Sequence, residues 1–223
     1  MRIFEFKVMK LKLVTWNVWF SPHEMSLRTH AMMDILQQIN PDVICLQEVT
    51  HGFLQEISRL SWIVDGFLCS DKGYDGSTID QYGCATLCKK SLDPTFSFVN
   101  FENSYMGRHL LTTRCIISGR NQCIDIGNVH LESLNNACRR EEQLGVCATL
   151  LSPGKSVLVG DFNFCSERNY DGSLPLENDC LCKMMPSYED LWRKLKPEEI
   201  GYTFDSVANR MLKKYEQARY VHV

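Results

Sequence analysis

The sequence lacks the features that would take it out of an ordinary aqueous fold. No apolar run approaches the roughly 20 residues that span a bilayer, which argues against any membrane role. Met1–Lys12 has neither a long apolar core nor a small-residue cleavage site, so no secretory leader is expected. Positive charge is in short supply: 24 Lys and Arg face 27 Asp and Glu, for a net charge of −3. That excludes a broad basic face and confines any nucleic-acid contact to a local groove. Linkers, repeats and low-complexity tracts are missing too. With 44% apolar residues over 223 positions, the chain can bury a substantial core, and one domain over 1–223 is expected.

Cysteine is not scarce. There are eleven, which in a short secreted chain would suggest a disulfide framework. Here they sit inside apolar runs, as Cys45 does in Val43-Ile44-Cys45-Leu46. That is how buried free thiols are used in a reducing compartment, so an intracellular protein, nuclear and/or cytoplasmic, is expected. Cys180-Leu181-Cys182 has no second pair or histidine at zinc spacing and reads as reduced loop cysteines.

The pattern alternates strands and helices. Lys10–Asn17 alternates as a strand and Leu27–Asn40 carries Met32, Ile35, Leu36 and Ile39 on one helical stripe. Val43–Leu46 is wholly apolar, hence a buried strand, and Phe53, Leu54, Ile57 and Leu60 mark a second helix. Four short strands follow, at Ala85–Cys88, Thr95–Phe101, Leu110–Ser118 and Gln122–His130, with a hairpin turn at Gly119-Arg120-Asn121. Ala137–Leu151 reads as a helix, Ser156–Val159 as a buried strand, Tyr188–Lys194 as a short helix and Tyr202–Phe204 as an extended piece.

Polar residues collect where strands end: Asn17, Glu48, His130, Asp161 and Asn163. Each has an ordinary reading alone, as a turn residue, a helix-start charge or a satisfied histidine. Their coincidence is what matters. Carboxylates directly after buried strands are costly without a partner. Two carboxylates with two carboxamides is hard-oxygen chemistry, suited to Mg²⁺ and a phosphate group. Trp16, Trp19, Phe20, Tyr105, Tyr202 and Phe204 are candidates to line a groove, with core packing the ordinary reading of the tryptophans.

Five motifs stand in order: Thr15-Trp16-Asn17, Leu46-Gln47-Glu48-Val49, Met106-Gly107-Arg108-His109-Leu110, His130-Leu131-Glu132-Ser133 and Gly160-Asp161-Phe162-Asn163. Together they resemble the endonuclease/exonuclease/phosphatase superfamily and, through the His-Leu-Glu-Ser element, its tyrosyl-DNA phosphodiesterase 2 type. Tyr188-Glu189-Asp190-Leu191-Trp192, Gly201-Tyr202-Thr203-Phe204-Asp205 and Asn209-Arg210-Met211-Leu212 agree. The resemblance implies an α/β fold, a four-layer sandwich of two mixed β-sheets flanked by helices. It implies phosphodiester hydrolysis with Mg²⁺, or Mn²⁺ in its place. Glu48 would be the metal ligand, and Asp161 would activate the attacking water. Asn17 and Asn163 would hold phosphate, metal or nucleophile, while His130 would stabilise phosphoryl charge. Arg108, Ser133, Tyr202 and Phe204 would meet substrate. The implied partners are DNA 5′ ends or phosphotyrosyl protein–DNA adducts, met by a monomer.

The resemblance also implies an Asp-Arg pair and a Ser-Asp-His motif near the C-terminus, where this chain reads Arg219-Tyr220-Val221-His222-Val223. The expectation is a domain missing its last strands, weak or inactive in hydrolysis. Rival readings keep the fold with another substrate (RNA, a phosphoinositide or a sphingolipid head group) or make the chain a catalytically dead binding relative.

Overall fold

The computed structural model describes residues 11–117, 122–166, 169, 175–199, 201–205 and 209. Strands β1 (Leu13–Asn17), β2 (Val43–Val49), β3 (Phe67–Cys69) and β4 (Gly83–Lys89) form one sheet in the order β1-β2-β4-β3. Strands β5 (Thr95–Asn100), β6 (His109–Ile117), β7 (Gln122–His130) and β8 (Ser156–Asp161) form a second, in sequence order. Both sheets are mixed, because β1 is parallel to β2 and β7 to β8 while the other pairs are antiparallel. The helices are α1 (Met25–Ile39), α2 (His51–Ile57), α3 (Ser61–Gly66), α4 (Ala137–Leu150), α5 (Glu177–Met184) and α6 (Leu191–Leu195).

Four layers need three buried interfaces, and three apolar clusters supply them. Met32, Met33 and Leu36 of α1 and Phe53, Leu54 and Ile57 of α2 pack on Ile44 and Leu46. Val43, Cys45, Cys88, Cys115, Ile126 and Val159 fill the space between the sheets. Leu144 and Cys147 of α4 pack on Leu110, Val129 and Leu158. The wholly apolar run of β2 follows directly: Ile44 and Leu46 face the helices while Val43 and Cys45 face the other sheet. The expected sandwich is therefore present.

Several expectations need correction. On α1 the buried face is Thr29, Met32, Met33 and Leu36, whereas Ile35 and Ile39 are exposed. Ile35 sits about 100° around the helix from Leu36, and Ile39 is the last residue of the helix, before the C-cap Asn40. The elements α3, β3 and α5 escape a periodicity reading because each is too short to repeat its pattern. Cys180 and Cys182 lie on α5 and not in a loop; two positions apart on a helix, they diverge. Helix α6 starts late because the Asp190 side chain caps it, accepting from Trp192 N at 2.9 Å and Arg193 N at 3.2 Å. The 119–121 turn and the expectations placed on 206–208 and 210–223 lie outside the described residues. All eleven cysteines are free thiols, and burial pushes Cys69, Cys84 and Cys147 up to about 12. No described helix is long and apolar enough to cross a membrane.

A polar plug crosses the sandwich behind the site. Strand β2 loses register with β4 between Leu46 and Val49. Asn128 of β7 fills the gap, its Nδ2 donating to Leu46 O at 3.2 Å and Ala85 O at 3.1 Å. Its Oδ1 accepts from Gln47 Nε2 at 2.8 Å. All of these groups are buried, so losing one partner strands the others. Asn128→Val should lower stability by roughly 2–4 kcal/mol, read as a reduced urea midpoint with an unchanged slope. A loss under about 0.5 kcal/mol would show the plug to be dispensable.

Candidate active site

Parallel pairing places strand ends together. In the β1–β2 register Asn17 lies beside Gln47, and in the β7–β8 register His130 lies beside Asp161. Strands β1 and β8 approach one another across the sandwich, so both pairs point the same ends at one spot. Two backbone features aim the side chains. Glu48 sits in the register break with φ 59°, a left-handed conformation a non-glycine residue adopts only when its surroundings impose it. Gly160 has φ 137°, and a Cβ there would stand 1.9 Å from Val129 O, so only glycine lets β8 reach Asp161 alongside β7.

Asn17 joins the two halves. Its Nδ2 donates to Glu48 Oε1 and to Asp161 Oδ2, both at 2.9 Å, while its Oδ1 accepts from Trp19 N at 2.9 Å. Phe20 N donates to Glu48 Oε2 at 2.9 Å, and Asn163 N to Asp161 Oδ1 at 3.0 Å. Asn163 also has φ 57° and anchors through Nδ2 to Leu131 O at 3.0 Å. The loop bearing Trp19 and Phe20 is held by Arg28 of α1, which donates to Val18 O, Ser21 O and His23 O and lies 4.6 Å from the Trp19 ring.

His130 is buried, with Nε2 3.8 Å from Asp161 Oδ2 and 4.0 Å from Glu48 Oε1. Its Nδ1 is 2.9 Å from Arg108 Nη1. A guanidinium can only donate, so Nδ1 is the acceptor and the ring's proton resides on Nε2. A protonated ring would turn an N–H against Arg108. Burial accordingly pushes His130 down to about 4; Asp161 opposes the shift, Arg108 adds to it and Glu132 opposes it. Arg108 Nη2 continues to Ser133 Oγ at 3.0 Å, and the guanidinium lies 5.3 Å from the Tyr82 ring. Tyr82 stacks on Phe20 with centroids 4.5 Å apart.

Behind these groups is Glu132, fully buried. It accepts from Ser104 Oγ at 2.7 Å, Tyr105 N at 2.9 Å and Gln143 Nε2 at 3.1 Å. Burial alone would raise its carboxyl, but these donors and the charge of Arg108 prevail and hold it below the ordinary range.

Oxygens of Glu48 and Asp161 and the Nε2 of His130 all lie within 4.8 Å of one another. With its proton on Nε2, His130 is a donor and not a ligand. The groups that could hold a metal are Glu48, the expected ligand, and Asp161 beside it, and among the described residues no Lys or Arg pairs with either within 4.0 Å. Uncompensated hard oxygens at this separation suit a divalent ion such as Mg²⁺.

The structure thus brings Asn17, Glu48, Arg108, His130, Ser133, Asp161 and Asn163 into one network. Tyr202 and Phe204 follow Gly201, which packs against the Trp192 ring. Trp16 and Trp19 are exposed by more than a third, so core packing does not describe them. The sequence reading missed Arg28, Tyr82 and the role of Glu132. Only Glu132, inside a motif already singled out, carried any signal.

The fold is a two-sheet α/β sandwich whose strand ends carry paired carboxylates and a buried His–Arg couple. The Endonuclease/Exonuclease/phosphatase family model matches residues 14–206, and the chain belongs to that family. The 5′-tyrosyl-DNA phosphodiesterase of Caenorhabditis briggsae is 27% identical over 191 residues, 84% of this chain and 51% of the relative. Tyrosyl-DNA phosphodiesterase 2 of Xenopus laevis is 27% identical over 210 residues, 90% and 51% of the respective lengths. The chain spans about half the length of the curated relatives it matches. The D. rerio tyrosyl-DNA phosphodiesterase 2 crystallised with a single-strand DNA product has a TM-score of 0.75 at 24% identity, covering 94% of this chain and 80% of that one. At that identity the likeness shows the fold.

A buried, neutral His130 makes stability depend on pH. The unfolded chain binds a proton at His130 near its ordinary 6.5, the folded chain only near 4. This contribution is complete above pH 6.5 and is lost as pH falls toward 4, with a slope of at most about 1.4 kcal/mol per pH unit. Urea unfolding of the parent and of His130→Asn across that range should show the steeper acid loss in the parent. Equal slopes would show that His130 is not buried neutral.

Proposed function

We propose that the chain is a divalent-metal-dependent phosphodiesterase domain acting at DNA 5′ ends, with a 5′-phosphotyrosyl bond as the bond cleaved. The observation that carries this reading is Arg108. It is only 4% exposed and its Nε has no partner. No carboxylate pairs with it within 4.0 Å among the described residues. A buried cation with no carboxylate in direct contact, next to two carboxylates with no Lys or Arg within 4.0 Å, is a place for a phosphate and a metal together. The relatives named as 5′-tyrosyl-DNA phosphodiesterases, and the one crystallised with single-strand DNA product, support this choice of substrate.

Glu48, with Asp161 beside it, would hold Mg²⁺ or Mn²⁺, which when bound draws electron density from the phosphoryl group. Asp161 accepts the proton of the attacking water, its oxygens fixed by Asn17 and Asn163 N. His130 Nε2–H and Arg108 meet the negative charge that builds on the phosphoryl oxygens. Ser133 keeps the Arg108 fork in place. Water oxygen bonds to phosphorus, the bond to the tyrosyl oxygen breaks, and that oxygen leaves with the electron pair. Asn17 and Asn163 hold the carboxylate frame through the step, and Tyr202 and Phe204 would meet the substrate. The free thiols and the substrate fit an intracellular site of action, nuclear and/or cytoplasmic, and a monomer.

The test is hydrolysis of a 5′-tyrosyl oligonucleotide with and without Mg²⁺, run beside an RNA counterpart and a phosphoinositide. Weak metal-dependent release from the DNA substrate is expected. Turnover only on another arm would transfer the reading to that substrate, and none on any arm would leave a binding protein. Glu48→Gln should weaken Mg²⁺ binding in calorimetry at nearly unchanged thermal stability, because it removes a charge and preserves volume. Asp161→Asn should lower turnover by about 10²–10⁴ with substrate affinity largely kept. Survival within about tenfold would make Asp161 structural.

A further inference from the structure

Tyr105 is the most exposed large hydrophobic side chain among the described residues, at 80%. Its position is nevertheless fixed. Its backbone N–H is held by Glu132 Oε1, and the neighbouring Ser104 Oγ holds the other oxygen and receives Arg108 N at 2.8 Å. Arg139, in the first turn of α4, lies over the ring with Cζ 3.4 Å from the centroid, closer than most cation–aromatic contacts. Arg139 is clasped in turn by Asn103, whose Nδ2 donates to Arg139 O at 3.2 Å while its O accepts from Arg139 Nη1. A flat ring, backed by a guanidinium and bolted to the carboxylate behind Arg108 and Ser133, thus shows its other face to solvent.

We infer that Tyr105, backed by Arg139, is a stacking platform for a nucleobase of the single strand leading away from the phosphate site. The chemistry favours a base over a phosphate. Arg139 is spent on the ring and on Asn103, and Asn103 Nδ2 also holds Glu142 Oε2 at 2.6 Å, so a carboxylate stands where a second phosphate would be repelled. A base has a π-face whatever its identity, and stacking of this kind is sequence-tolerant. The choice of nucleic acid rests on the phosphodiesterase reading above; the platform itself is read from these contacts.

The experiment measures binding of a 5′-phosphorylated single-stranded oligonucleotide, which cannot be turned over, and of an abasic strand of equal length, in Mg²⁺. Tyr105→Ala should weaken the base-bearing strand about tenfold, a base-stacking loss of about 1.4 kcal/mol, and leave the abasic strand unchanged. Tyr105→Trp should keep full affinity. The ratio of parent to Tyr105→Ala affinity should hold as salt is raised, since a phosphate contact would fade. Urea midpoints of both variants should match the parent, because the ring is exposed. Equal weakening on both strands would make Tyr105 a loop brace, and no weakening, or no binding of the oligonucleotide by the parent, would overturn the platform. Failure of hydrolysis with the binding pattern intact would sink the enzymatic reading alone. Hydrolysis with an unchanged KM in Tyr105→Ala would sink the platform alone.

Discussion

One amide nitrogen holds two carboxylates from two different sheets. Glu48 and Asp161 repel each other; at the 4.8 Å bound on their separation the repulsion is about 3–4 kcal/mol for an effective dielectric of about 20. Two hydrogen bonds from Asn17 to charged oxygens return a comparable amount, at about 1.5–3 kcal/mol each. The amide orients the carboxylates without neutralising them. The geometry therefore survives without a cation, while the charge still calls for one. The same constraint sets the neighbouring loops: Phe20 N and Asn163 N each satisfy an oxygen that Asn17 leaves open, and the left-handed φ of Glu48 and Asn163 follows from meeting that demand.

A second chain of contacts fixes the cationic half from behind. Arg140 is buried and makes a bidentate pair with Glu177 of α5 at 2.6 and 2.8 Å. Its Nη1 grips Glu132 O at 2.6 Å and Leu134 O at 2.7 Å, the two carbonyls that bracket Ser133. This grip accounts for Leu134, an exposed leucine at φ 64° that no local preference would produce. Ser133 then sits on Arg108, and Arg108 on His130. The tautomer of the histidine is thus set by a series of partners reaching to α5. A series of this kind holds one arrangement, because each broken link leaves a buried group unsatisfied.

What the sequence made legible, and what it hid, divides along physical lines. Strands buried on both faces announce themselves as continuous apolar runs, so β2 and β8 with Glu48 and Asp161 were readable, and β1 by its alternation and β7 as a short run beside turn residues led to Asn17 and His130. Contacts that cross between elements leave no periodic trace. Arg28 sits on a helix face among ordinary polar residues, yet it folds the Trp19–Phe20 loop. Tyr82 precedes a strand as many tyrosines do, and its stack on Phe20 depends on two loops meeting. Helix α5 lies in a cysteine- and acid-rich stretch whose only fully buried residue is Glu177; Leu181 and Met184 pack on the α4 cluster, but two apolar positions in so short a helix show no stripe. Ile35 and Ile39 misled for the opposite reason: being apolar does not oblige a residue to be inside.

On the proposed function, the charge distribution bears on how a chain with net charge −3 would address a polyanion. Long-range attraction needs a field of one sign over a surface, which this composition does not provide. Arg108 works at short range instead. Beneath the surface, flanked by Tyr82 and His130 and without a carboxylate partner, it is little screened by solvent ions. Its attraction for an oxyanion therefore acts only on a ligand already seated. Such an arrangement discriminates by fit more than by encounter: groups that stack or coordinate must bring the phosphate in before the buried cation contributes. Exposed rings at Trp19, Phe20 and Tyr105 are the surfaces suited to that first contact. Selectivity in such a site is then set by what the aromatic rim accepts, and the buried charges act on whatever phosphate it delivers.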